Sequence, residues 1–323
     1  MFHPDSLLLP PTQERARIKA VYLERVTLGL LSLDIILLYI TMGNSQAMKT
    51  AWLDNVFSMV PAIVFLLSEK LRRRRATDRY PYGYPRMASI AFLLASFAIF
   101  ALGSYLMYEA VMKLVWQERL TVGVFSLFGH QIWAGWPMIA ASIWSGLNAA
   151  VIARLKLPLG KILHNRVILA DATMGKADWM VSISTVLGVL GGGAGLWWAD
   201  PVAAGMIACN IWWDGLKNLR SIFDELLDHT PATVDNKSED PIVGQVKAYL
   251  DALPWVKEYR LFLHERGLVL AGQVYVVPVN DRNLMRNIAM TIHKVRSMHW
   301  RVADFAVTPV FSLLEVGNAP KPE

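Results

Sequence analysis

Long apolar runs are the feature of this sequence that most restricts its possible folds. About six of them are long enough to cross a bilayer, since one helical crossing takes roughly 20 residues. They lie at residues 26–42, 51–71, 87–115, 132–153, 167–191 and 201–222. The pattern predicts an all-α transmembrane bundle of six spans.

Composition supports a membrane protein and excludes several other classes. The 323 residues are 54% hydrophobic and 18% charged, with a mean hydropathy of +0.34, which is too apolar for an ordinary soluble domain. The single cysteine, Cys209, excludes a disulfide framework and a cysteine-rich zinc site. The net charge of +6 comes from short basic loops beside apolar runs, so it indicates membrane orientation and no nucleic-acid partner.

The loop charges predict the orientation of the bundle. The basic residues fall before the first run, between the second and third, and between the fourth and fifth. They are Arg15, Arg17, Lys19, Arg25; Arg72, Arg73, Arg74, Arg75, Arg79, Arg86; and Arg154, Lys156, Lys161, Arg166. Because lysine and arginine concentrate in cytoplasmic loops, both termini are predicted to be cytoplasmic in a multi-pass protein of the cell (inner) membrane. An even number of spans follows, and six satisfies it.

A polar C-terminal part follows the last run. Residues 1–25 are predicted to be a cytoplasmic segment, 26–228 the transmembrane domain and 229–241 a polar, proline-bounded linker. Residues 242–323 are predicted to form a small cytoplasmic α+β domain. Its helices are expected at 242–253 and 283–298, and its strands at 259–264, 269–277 and 301–307.

Ionisable residues inside apolar runs are the best candidates for function, because each costs at least ~2.5 kcal/mol at the bilayer centre. They are Asp34, Asp54, Glu109, Asp171, Lys176, Asp178 and Asp214. Asp214, Glu109 and Asp171 lie close enough to the ends of their runs for headgroups or water to reach them, which favours a structural role.

Asp54 and Asp178 lie deeper in the second and fifth runs and form the candidate site. Asn55 and Ser58 follow Asp54, and Ser58 lies one helical turn from it on the same face. Two carboxylates on neighbouring helices make an oxygen-rich cation site or a proton-carrying pair. The alternative is that Asp178 and Lys176 neutralise each other or pair with groups on other spans.

Three motifs in this order resemble the cation diffusion facilitator family of metal transporters. The sixth run, Asp200-Pro201-Val202-Ala203-Ala204 through Gly215, Ser221 and Leu226-Leu227-Asp228, resembles the family's DPxxA…G…S…LLD signature. The segment from Tyr80 to Arg86 resembles the element that opens the third span, and Ala170-Asp171-Ala172 with Asp178 resembles a fifth-span motif.

The resemblance implies a six-span homodimer with a metallochaperone-like, ferredoxin-like cytoplasmic domain. It also implies a transport site with two ligands from the second span, here Asp54 and Ser58, and two from the fifth, here Met174 and Asp178. Serine is a weak neutral ligand and methionine a soft one. The site therefore keeps two carboxylates, lacks imidazole, and makes zinc less favoured than in a typical member. Arg86 and Asp228 match a charge interlock between the third and sixth spans.

These features predict efflux of a divalent cation, coupled to inward protons, through Asp54 and Asp178, with Ser58, Asn55 and Met174 as further ligands. Zinc, manganese, iron, cobalt, nickel and cadmium all stay open as the cation, and no fixed cofactor is expected. The alternative is a non-transporting scaffold of the same family with a degenerate metal site. An enzyme is not predicted, since the runs contain no Ser/His/Asp arrangement.

Overall fold

The computed structural model describes residues 9–41, 46–72, 74, 77–117, 124–127, 130–133, 135–193, 196, 198–234 and 238–316. Six long helices occupy the first part of this description. They are α1 (Pro11–Thr41), α2 (Gln46–Arg72), α3 (Met87–Trp116), α4 (Gly135–Leu163), α5 (Arg166–Gly193) and α6 (Ala199–Leu226). Each of them contains most or all of one predicted apolar run.

Three of these helices are long and apolar enough to cross a membrane, so length and composition support three of the six predicted spans. Within the described residues they are Ala51–Arg72, Met87–Trp116 and Gly135–Leu163. In α1 the apolar part after Arg25 is shorter than the roughly 20 residues of a full crossing. In α5 and α6, charged residues interrupt the apolar sequence.

Most of the segment between the fourth and fifth runs is helical, whereas the sequence analysis assigned its basic residues to a loop. α4 continues to Leu163 and α5 begins at Arg166. Asn165 ends the connection by accepting hydrogen bonds on its Oδ1 from the backbone nitrogens of Val167 (2.9 Å) and Ile168 (3.3 Å). This cap satisfies amide groups that have no partner within the first turn of a helix.

A short hairpin precedes α4. Strand β1 (Val124–Leu127) pairs antiparallel with β2 (His130–Trp133). The sequence predicted a helical span from residue 132, whereas the helix begins at Gly135.

Parts of several predictions lie outside the described residues: residues 1–8 of the N-terminal segment, Met42 at the end of the first run, Arg73 and Arg75 of the basic loop, residue 134 of the fourth run, 235–237 of the linker and 317–323 of the C-terminal domain.

The chain divides into two units, one of residues 15–71 and 90–222 and the other of residues 1–14, 72–89 and 223–323. In the first unit, α3 and α6 pack closely at two glycines. A Cβ added to Gly103 would lie 2.6 Å from the Trp212 backbone nitrogen, and one added to Gly215 would lie 2.7 Å from the Phe100 backbone. Small residues of this kind let helix backbones approach each other in membranes.

The second unit contains the predicted α+β domain. Its elements are α7 (Pro241–Asp251), β3 (Val256–Arg266), β4 (Val269–Pro278), α8 (Leu284–Met298), β5 (Val302–Pro309) and a 3₁₀ turn (Leu313–Val316). The sheet order is β3-β4-β5, with β3 and β4 antiparallel and β4 and β5 parallel. The parallel pair needs a crossover, which α8 supplies. Val246, Leu270, Val274, Val276 and Val295 form the centre of the core.

Arg301 is a buried charge that ties this domain together. Its Nη2 donates to Glu265 Oε1 (2.7 Å), its Nη1 donates to Asp240, and its Nε donates to the Leu268 carbonyl (3.4 Å). Asp240 also caps α7 by accepting from the Ile242 nitrogen (3.0 Å). The last residues of the predicted linker are therefore part of the domain.

Candidate functional site

A cavity of about 30 Å³ lies among α1, α2, α4 and α5. Its polar lining residues are Thr27, Asp34, Asn55, Ser58, Ser145, Asn148, Lys156, Asp171 and Asp178. Oxygen atoms dominate this list, and the described lining contains no histidine or cysteine. Carboxylate, hydroxyl and amide oxygens are the donors that hard divalent cations prefer.

The fold brings the predicted second-span and fifth-span residues together. Ser58 Oγ on α2 donates a hydrogen bond to Asp178 Oδ1 on α5, at 3.1 Å. Met174 lines the same cavity one helical turn before Asp178, and Asn55 lines it one turn before Ser58. Four of the five predicted ligands therefore lie on one cavity surface.

Asp54, the fifth, is buried beside the cavity rather than on its surface. It is near enough to Asp178 for the two charges to repel each other. Its Oδ1 has no hydrogen-bond partner among the described residues. Two neighbouring carboxylates with a vacant acceptor atom favour a cation or a shared proton between them.

The alternative pairing of Asp178 with Lys176 does not occur in this structure. Lys176 is exposed on α5 and is not one of the residues that line the cavity. Asp178 instead accepts from Ser58.

Lys156 on α4 is a cationic side chain that lines the cavity, so its predicted position in a loop was wrong. It is 1% exposed, and its Nζ donates to Glu24 on α1 (2.7 Å) and to Asp171 on α5. The neighbouring Leu155, Leu157 and Leu159 could have indicated that the apolar helix continues past residue 153. The pairing itself has no local signal, because its two acceptors lie 132 and 15 residues away.

Asp34 is a further residue of the cavity. It was one of the ionisable residues recognised within the apolar runs, but it was not part of the predicted site. It lines the cavity on α1 and is 2% exposed. It faces the side chains of Ser145, Trp144 and Asn148 on α4. Glu24, Thr27, Leu31 and Asp34 recur at helical spacing and are all buried, and this face of α1 was the available signal.

The predicted interlock pair is present in the second unit. Arg86 Nη2 lies 3.3 Å from Asp228 Oδ1, and the two side chains are 49% and 52% exposed. In the same unit, Ser89 Oγ donates to Glu225 Oε1 at 2.5 Å in a buried hydrogen bond.

His264 is near enough to Arg86 and Asp228 for their charges to act on it, and it does not offer an open ligand site. Arg266 Nε lies 3.1 Å from His264 Nε2 and donates to it. Burial lowers the pKa of His264, while the negative charge of Asp228 acts in the opposite direction.

Comparison with known proteins places most of the chain in one family. Residues 26–227 match the family model described as "Cation efflux transmembrane domain". The matched stretch contains all five predicted cavity ligands.

Several relatives carry informative names. The manganese efflux system protein MneS of Bacillus subtilis (strain 168) is 26% identical over 181 residues, which cover 54% of this chain and 57% of that protein. The probable cation efflux system protein Rv2025c of Mycobacterium tuberculosis (strain ATCC 25618 / H37Rv) is 25% identical over 223 residues, covering 68% and 63%. The magnetosome protein MamB of Magnetospira sp. (strain QH-2) is 23% identical over 163 residues, covering 50% and 52%. The matches span less than two thirds of the length of each of these relatives.

Proposed function

This chain belongs to the cation efflux family, the cation diffusion facilitators, and we propose that it exports a divalent metal cation from the cytoplasm in exchange for protons. It is a membrane protein and not an enzyme, as expected of this family. The observation that carries the proposal is the meeting of α2 and α5 at the cavity, where Ser58 contacts Asp178 and Asp54 lies close by.

The proposed site binds the cation through Asp54, Asp178 and Ser58, with Asn55 and Met174 as weaker ligands. Of the candidate cations, the ligand set favours manganese. Carboxylate and carbonyl oxygens suit Mn²⁺, whereas Zn²⁺ sites usually include imidazole or thiolate. The described lining offers neither of those groups. One relative, MneS, is named as a manganese efflux system protein, and this name supports manganese as the proposed cation.

Proton exchange would use the same carboxylates. When the cation leaves, Asp54 and Asp178 face each other without a counter-charge, so protonation relieves their repulsion. Loading and release must face opposite sides of the membrane, which requires the helices to rock around the site. We place both termini in the cytoplasm, in a six-span inner-membrane homodimer, with Arg86 and Asp228 as its interlock.

The alternative of a non-transporting scaffold is less favoured. It drew support from Lys176, whose ammonium would neutralise Asp178. Lys176 is exposed away from the cavity, and Lys156 already lies between Glu24 and Asp171. A vacant cation position beside Asp178 is therefore compatible with transport.

The test is metal flux into proteoliposomes under a pH gradient, with manganese and zinc compared first and iron(II), cobalt, nickel and cadmium next. Wild type, Asp54→Asn, Asp178→Asn and the control Asp214→Asn are measured side by side. Asp214 is a helical carboxylate whose side chain is 47% exposed and 3.8 Å from Lys217, so its variant controls for the loss of one charge.

We expect manganese flux in wild type and in the control, and none in the two site variants. Flux that persists in both site variants would refute the site. If well-folded wild type transports none of these ions, transport would be refuted and the scaffold alternative would be favoured.

A further inference from the structure

Asp34 is a buried cavity carboxylate that the proposed site does not use. It is almost fully buried, it lines the cavity, and its Oδ1 accepts no hydrogen bond from the residues that the structure describes. Burying a carboxylate without a full set of partners is costly. A charge or donor that meets this atom is therefore expected in the working protein.

The cationic side chain in the same cavity is already engaged elsewhere. Lys156 donates to Glu24 and to Asp171, so its single charge is already paired with carboxyl groups. It therefore leaves no positive charge over for Asp34. A cation from solution is the simplest remaining counter-charge.

The surroundings of Asp34 supply further oxygen donors. Ser145 Oγ donates to Asn55 Oδ1 at 3.3 Å, and both residues line the cavity. Asn148 also lines it, and its Nδ2 has no hydrogen-bond partner among the described residues. Because the two ends of an amide are assigned from their partners, a turned Asn148 side chain would present its oxygen to the cavity instead.

These donors lie one step along the cavity from the first site. Asn55 and Ser58 are one turn apart on α2, a rise of about 5 Å along the helix. The cavity volume of about 30 Å³ accommodates about two occupants of the size of a water molecule. Pairs of divalent cations at similar distances, about 4 Å, occur in proteins when carboxylates surround them.

We propose that Asp34, Ser145 and Asn148, together with Asn55 shared with the first site, form a second binding position for a hard divalent cation in the same cavity. The inference rests on the proposed transport function, because it extends the path of the same ion. A cation that leaves Asp178 would move to Asp34 without crossing an apolar barrier, and a second cation would then enter behind it.

The experiment measures Mn²⁺ binding by the purified full chain in nanodiscs, by equilibrium dialysis and by electron paramagnetic resonance. The variants are Asp34→Asn, Asn148→Ala, Asp178→Asn, the double variant Asp34→Asn/Asp178→Asn, and the control Asp214→Asn. Elution as a single symmetric peak in size-exclusion chromatography establishes that each variant is folded.

We expect wild type and the control to bind two Mn²⁺ per chain, with a spectrum broadened by dipolar coupling between the two ions. Asp34→Asn should bind one ion and lose the broadening, and Asn148→Ala should weaken the same ion at least tenfold. Asp178→Asn should keep one ion, and the double variant should bind none.

Two results would overturn this inference: one Mn²⁺ per wild-type chain, or two ions with unchanged broadening in Asp34→Asn. A different result would refute the proposed function itself: Asp178→Asn would bind and transport manganese as wild type does.

Discussion

At the scale of single residues, the side chains with most influence are charges that the fold removes from water. Arg301 donates hydrogen bonds to Asp240, Glu265 and the Leu268 carbonyl within the C-terminal domain. Its three nitrogens thus meet groups from α7's cap, β3 and the turn before β4. This arrangement makes the arginine a structural rather than a functional charge.

Replacing Arg301 by methionine should strongly destabilise this domain. The substitution removes the guanidinium group from two buried carboxylates, a loss of about 3–5 kcal/mol. Such a loss corresponds to more than a hundredfold faster hydrogen exchange at the most protected amides, and mass spectrometry of β4 in the full chain would measure it. Lys247→Met is the control, because Lys247 and Glu239 form an exposed pair expected to contribute about 0.2–1 kcal/mol. Equal exchange in the two variants would contradict the structural role.

His264 should make the stability of the same domain depend on pH. Burial holds the pKa of its folded state below the ordinary value, so between the two pKa values the unfolded chain binds more protons. Stability due to this residue is therefore complete above about pH 6.5 and is lost as the pH falls below it.

Comparison of wild type with His264→Asn tests this effect. The melting temperature of wild type should fall more between pH 7.5 and pH 5.5, taken as roughly one unit either side of the ordinary histidine pKa. Parallel falls in the two proteins would show that other groups control the acid response.

Single residues also show how far sequence reasoning reaches into the site. Asp54 and Asp178 were identifiable because a carboxylate in an apolar run is costly. Lys156 was not, because its burial depends on Glu24 and Asp171, which only the packing of three helices brings to it. Asp34 was visible as a charge, but its place beside Asn148 depends on how α1 is rotated against α4.

At the scale of elements, the contacts between α3 and α6 depend on two glycines, and a hydropathy profile does not distinguish such glycines from others. Gly103 and Gly215 permit the approach, and their patterns in sequence are indistinguishable from those of tolerated glycines. Periodicity located the helices, since apolar spacing is a local property. The predicted end of α4 was too early, because a lysine in the sequence indicates a loop unless its buried partners are known, and Lys156 has such partners.

Gly103→Ala should separate α3 from α6. The new Cβ would lie 2.6 Å from the Trp212 nitrogen and 2.7 Å from its Cα, and backbone atoms cannot move aside as a flexible side chain would. Overpacking of this kind typically costs 1–3 kcal/mol, which should lower the melting temperature in detergent.

Gly29→Ala is the matched control for this prediction. Gly29 also lies in a long helix, and a Cβ there meets nothing within 4 Å. Since alanine favours a helix by roughly 0.5–1 kcal/mol relative to glycine, this variant should be neutral or slightly more stable. A stable Gly103→Ala protein would mean that the two helices do not approach as closely as described.

At the scale of the whole molecule, the distribution of basic residues in the sequence predicts the membrane topology. The helices support this predicted topology only in part. Among the residues that the structure describes, three helices are long and apolar enough to span a membrane by themselves. α1, α4 and α5 share the buried ion pairs of Lys156, so charges that weaken the apolar signal of α1 and α5 are compensated inside the bundle. Such compensation would allow α1 and α5 to cross a membrane although they fall short of a purely local criterion.

The predicted six spans can be tested with single cysteines in a Cys209→Ser background, since the one native cysteine is exposed. Ser238→Cys and Asp78→Cys lie in exposed parts of the second unit, on the side predicted to be cytoplasmic. Leu196→Cys lies in the connection between α5 and α6, where Leu196 is 48% exposed.

A membrane-impermeant maleimide should label Leu196→Cys in intact host cells, and the other two only after the cells are opened. The reason is that basic residues cluster around residues 72–86 and are sparse around residue 196, and such clusters are retained in the cytoplasm. Labelling of residues 196 and 238 from the same side would require an even number of crossings between them. α6 would then not span the membrane, and the six-span topology would be wrong.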